Sequence, residues 1–191
     1  MEPHEIRRMR MNQILLTNGT MLTVLILFFT IINVFTIRFP HFFFTLAVLI
    51  LIQAIFGFIK RDSTKSFLPI LEKVATYEKQ KMGDEWSKIR KVSSGWSLVL
   101  SAFMFFQFYM SLDYEYGIFQ IDPIIMLIVI IMAIVVTNIG MLIHFRKVDR
   151  STSESDMKGY TWKSNLIAGV VGLVFGLAIF MMTIYYVISN I

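Results

Sequence analysis

The run from Ile14 to Ile37 sets the terms for the whole chain: 24 residues without an Asp, Glu, Lys or Arg. At about 1.5 Å of helix per residue, it can cross a hydrocarbon core of about 30 Å. A secretory signal has an apolar region of only about 7 to 15 residues followed by a small-residue cleavage site. The run is longer and no such site follows, so an uncleaved first transmembrane helix over about 14–36 is expected. Four further runs match it, at about 40–59, 94–112, 123–145 and 164–188. With 56% hydrophobic and only 16% charged residues, one soluble core could not hide this apolar surface. The expected fold is therefore all-α: a single polytopic membrane domain of five helices, arranged as two hairpins plus one.

Punctuation supports these boundaries. Arg38, Phe39, Pro40 and His41 make a tight turn, and Pro40 suits a first helical turn because its missing N–H is no loss there. Asp122 before Pro123 reads as an N-cap followed by a proline at the first helical position.

Basic residues assign a side to each end. Three lie in the N-terminal segment 1–13 (Arg7, Arg8, Arg10), nine in Lys60–Lys91 and five in Arg146–Lys163, which is 17 of the 18; Arg38 alone falls on the other side. By the positive-inside rule, the N-terminus and the segments 60–93 and 146–163 are expected in the cytoplasm and the C-terminus outside. Trp96 and Trp162 at inner ends, and Tyr109, Tyr114, Tyr116, Tyr185 and Tyr186 near outer ends, fit interfacial belts. A bacterial plasma membrane with an anionic inner leaflet is the expected setting, the bacterial type being inferred from short loops and compact hairpins. The formal charge of +5 is split among three segments that flank spans, so it forms no nucleic-acid patch.

The segment Lys60–Lys91 is the longest polar stretch. Within it Phe67, Leu71, Val74 and Tyr77, with Ile70, recur at helical spacing, and Trp86 follows in a second helix that leads into the third span. An amphipathic cytoplasmic helix is expected, either a surface-lying connector or a docking face for a partner or for lipid. The five spans contain no charged side chain, which argues against a proton relay or an ion-coupled carrier. Of their amides, Asn18, Gln53 and Asn138 fall at similar depth and could form one polar layer, serving interhelical hydrogen bonds or lining a small pocket. Ala168, Gly172 and Gly176, with Gly169 beside them, form a small-xxx-small stripe that suits close helix packing, within the chain or against another membrane subunit or a second copy.

Other features point less far. The outer loop 113–122 carries Asp113, Glu115 and Asp122 among Tyr114, Tyr116 and Phe119, a pattern that charge asymmetry alone predicts, although a cationic ligand would also fit. His4, His41 and His144 have no second ligand at metal-binding spacing, and with no Cys there is neither a disulfide nor a thiolate site. No catalytic motif occurs: there is no H-E-x-x-H, no G-x-S-x-G and no glycine-rich phosphate loop. No metal, cofactor or catalytic residue is expected. The reading that remains is a non-enzymatic accessory, regulatory or immunity-like subunit acting through helix packing and its cytoplasmic loop. The alternative is a transport protein or the membrane subunit of an ATP-driven transporter.

Overall fold

Helix starts follow the sequence's own punctuation. In the computed structural model, which describes residues 2–35, 37–113 and 123–189, α1 (Pro3–Val34) opens on a proline, and the Glu5 carboxylate accepts the Glu2 N–H at 3.2 Å. Pro40 lies in the first turn of α2 (Phe39–Ile59), and Pro69 is the first residue of α3 (Pro69–Met82). α4 (Asp84–Met110), α5 (Pro123–Arg150), a 3₁₀ turn (Glu154–Met157) and α6 (Tyr160–Ser189) complete the order. The described residues are helical, without strands, and include five helices long and apolar enough to cross a membrane. The cap at Asp122, the loop residues Tyr114, Glu115, Tyr116 and Phe119, and the side chains of Tyr185 and Tyr186 lie outside the described residues.

Four helices run past the apolar windows read from sequence, α6 by the four residues from Tyr160. α1 begins at Pro3 rather than near Ile14, α4 at Asp84 rather than Ser94, and α5 continues to Arg150 rather than Phe145. At about 1.5 Å per residue, the extensions of α1 and α4 add about 15 Å each. They occur because hydropathy falls there while helix propensity does not: Arg, Met, Glu, Lys and Gln are all good helix formers. The extensions gather with α3 and the 3₁₀ turn into a polar head, whose buried core is Met9, Val74, Tyr77, Met82, Trp86, Val148 and Met157.

Gly83 makes the head possible. It joins α3 to α4 at φ 54°, a left-handed conformation that side chains rarely adopt. A Cβ there would also run into the Glu154 carboxylate of the 3₁₀ turn.

Below the head, the best-packed pair is α2 with α4. Its seam is built from small residues. Ala47 and Ala54 of α2 and Ser101 of α4 are buried, a Cβ on Gly57 would collide with Ser94, and the Ser101 hydroxyl donates across to the Ala47 carbonyl at 2.8 Å. Close backbone approach of this kind is how helices associate in lipid, where apolar side chains gain nothing by leaving the solvent. Further along, Phe44 packs on Phe105 and Phe108, with ring centroids 6.2 and 5.3 Å away.

Candidate functional site

The polar head places one cation at its centre. Arg10, on the extension of α1, has a side chain only 7% exposed and pairs with carboxylates of α3 and α5. Its Nη1 donates to Glu78 Oε1 of α3 at 2.7 Å and to Gln13 Oε1 at 2.9 Å. Its Nε and Nη2 make a fork onto Asp149 of α5, at 3.3 and 2.8 Å, the bidentate geometry that guanidinium and carboxylate planes favour. The Arg10 guanidinium also lies over the Phe145 ring, 4.3 Å from its centroid, and 5.4 Å from that of Tyr77.

Glu78 extends the network to α6. His144 Nε2 lies 3.2 Å from Glu78 Oε1, and His144 Nδ1 lies 2.8 Å from the Tyr160 hydroxyl. With Nε2 donating to the carboxylate, a neutral ring has Nδ1 free to accept the Tyr160 O–H. Burial opposes the charge on Glu78, but His144 and Arg10 outweigh it and hold the carboxyl below its ordinary range. Burial likewise opposes the charge on Arg10, yet the hydrogen bonds and charges of Asp149 and Glu78 move its pKa above the ordinary value. The Tyr77 hydroxyl is buried with no hydrogen-bond partner among the described residues, and burial together with the nearby Asp149 charge pushes it up.

A second buried carboxylate holds the start of α6. Glu85 Oε2 accepts the Thr161 N–H at 3.0 Å and the Thr161 hydroxyl at 2.6 Å, and Lys88 donates to Oε1 at 3.0 Å. A helix N-terminus leaves its first N–H groups without intrahelical partners, so an acidic side chain from another helix caps it and also meets its dipole. The Thr161 hydroxyl, its backbone N–H and Lys88 lower the Glu85 pKa to about 2. This capping across the chain, from α4 to α6, has no local signature.

Val74, Tyr77 and Trp86 are therefore core residues and not an open face, at 4%, 6% and 5% exposure. Of the five candidate surface positions, Leu71 is half-buried and Phe67 is 99% exposed, ahead of the helix because Pro69 sets its start. Asn18 and Asn138 meet as a reciprocal pair, each Nδ2 donating to the other's Oδ1 at 3.0 and 2.9 Å. Gln53 does not join them: it is exposed on α2, which packs against α4, whereas α1 packs against α5. Ala168, Gly172 and Gly176 are exposed, and a Cβ at either glycine would meet nothing within 4 Å.

Between the 60–67 connection, α3 and α4 lies a cleft of about 470 Å³. Lys60, Lys65 and Arg90 stand at its rim, Leu71, Val74 and Trp86 line its wall, and Glu78 and His144 lie at its base. Among the described residues, no group of three His, Asp or Glu side chains is placed to hold a metal ion.

These features define an all-helical membrane protein with five apolar helices and a polar head. Comparison of the chain with protein-family models, with curated proteins and with solved structures gives no match.

Proposed function

We propose that the protein is a non-enzymatic accessory, regulatory or immunity-like subunit that serves another membrane assembly in a bacterial plasma membrane, acting through helix packing and its cytoplasmic loop. The observation that carries this reading is the contrast between two small-residue faces. The α2–α4 seam uses its alanines, serines and glycine within the chain, whereas Ala168, Gly172 and Gly176 of α6 line up with open space beside them. A helix surface that admits close backbone approach is suited to a helix from another chain.

The basic head faces the cytoplasm in this reading. The three segments holding 17 of 18 basic residues are joined by the contacts of Arg10, Glu78, Asp149, Glu85 and Thr161, which supports their lying on one side of the bilayer. The reciprocal pairing of Asn18 with Asn138 favours a packing role for those amides over the lining of a transport pocket.

A photo-crosslinking residue at position 172, irradiated in native membranes, is expected to give one discrete adduct with another membrane protein or with a second copy. The same residue at Leu142, on an exposed face of α5, is expected to give lipid adducts only. Lipid adducts alone at position 172, or unchanged adducts in a Gly176→Leu background, would overturn the reading.

A further inference from the structure

We propose that the cleft between the 60–67 connection, α3 and α4 binds one acidic phospholipid, taken from the leaflet at the basic end of the bundle. Position comes first. Lys60 is the C-cap of α2, and Ile59 before it is 73% exposed, so the cleft opens where an apolar span ends and the headgroup layer begins.

The rim is built for an anion. The Lys60 and Lys65 ammonium groups have no acidic partner among the described residues, whereas Arg10, Arg61 and Lys88 each pair with a carboxylate. Arg90 is held in place, donating to the Ser63 carbonyl at 2.7 Å with its guanidinium 4.6 Å from the Trp86 ring centroid. Ser63 and Ser66 accept the N–H groups of Lys65 and Leu68, which leaves both hydroxyl hydrogens free to donate to a phosphate. Glu78, the one carboxylate lining the cleft, is already met by Arg10 and His144, so its charge is offset.

The wall then selects a lipid over a soluble anion. Leu71, Ala75 and Ile89, each half-buried, offer apolar surface that inorganic phosphate or a sugar phosphate would leave uncovered. Phe67, 99% exposed beside the two lysines, adds an aromatic ring at the depth where aromatic side chains favour the interface. The assignment needs only that the head lies against a leaflet. It does not depend on a partner for α6.

The test is native mass spectrometry of the full chain in mild detergent, titrated with phosphatidylglycerol, with phosphatidylcholine and inorganic phosphate as comparators. One phosphatidylglycerol is expected to be retained in preference to phosphatidylcholine. The double variant Lys60→Gln, Lys65→Gln is expected to weaken it about thirty-fold, from two basic residues acting near an anionic headgroup. Phe67→Ser weakens it less, and Lys147→Gln with Arg150→Gln, at the same end but outside the cleft, leaves it unchanged. Equal losses in the two double variants would mean diffuse surface attraction and overturn the site. Equal retention of phosphatidylcholine, or displacement of the lipid by inorganic phosphate, would overturn the assignment to an acidic phospholipid.

Discussion

The α2–α4 seam and the polar head solve one problem, holding helices together, by opposite means. The seam removes side-chain bulk: Ala47, Ala54 and Gly57 let Ser94 and Ser101 approach until a hydroxyl reaches a backbone carbonyl. The head does the reverse, filling its interior with Tyr77, Met82, Trp86 and Met157 and placing Arg10 between two carboxylates. The difference follows from the solvent. Water rewards burial of large apolar groups, by roughly 1.5 to 3 kcal/mol for a Val, Leu or Met side chain. Lipid gives no such reward, so contact there rests on dispersion and a few hydrogen bonds.

The largest effect should come from removing the centre of the head. Arg10→Ala leaves Glu78 with His144 alone and the half-buried Asp149 without its cation, a cost of up to about 3 kcal/mol, the low end for a broken buried ion pair. Hydrogen exchange in detergent should show α3 losing protection while the α2–α4 seam keeps its own. If both regions open together, head and seam form one cooperative unit and are not separate.

Gly83→Val should rank next. It forces a β-branched residue to φ 54° and drives a side chain into Glu154, for a cost on the order of 1 to 3 kcal/mol. Limited proteolysis should then cut between α3 and α4, and an unchanged digestion pattern would show that the head tolerates a displaced 3₁₀ turn.

Acid should separate the regions without mutation. Glu85 titrates near 2 in the folded protein, below its ordinary value of 4.5, so its contribution is present above about 4.5 and is lost as pH falls towards 2. Glu78 is lowered too and adds in the same direction. Exchange at the start of α6 should therefore rise on acidification, and Glu85→Gln should raise it at neutral pH and flatten the response. The seam has no titrating group and should not respond. The smallest effect is expected for Ser101→Ala, about 0.6 kcal/mol, the usual worth of an interhelical hydrogen bond in a membrane. A loss several times larger would mean that Ser101 organises the seam and does not merely decorate it.

Some of the candidate site was legible in the chain and some was not. Periodicity put Val74 and Tyr77 on one helical face, but an apolar stripe reads alike whether it faces lipid, a partner or the protein's own core. Small residues stand out as one stripe within α6, whereas those of the seam are split between α2 (Ala47, Ala54, Gly57) and α4 (Ser94, Ser101) and show as one surface only when the two segments are paired. In the sequence Arg10 is one of three basic residues in segment 1–13, and His144 is a histidine without a second ligand at metal-binding spacing. Nothing local distinguishes a basic residue that meets water from one that meets Glu78.

The sequence by itself determined that this is an all-helical membrane protein with five long apolar helices, because hydropathy and helix punctuation are local quantities that each run carries alone. Only the tertiary structure decided which faces those helices share. Arg10 with Glu78 and Asp149, Asn18 with Asn138, and Glu85 with Thr161 are partners about 70 or more positions apart in the chain. Their energies exist only once the helices have docked.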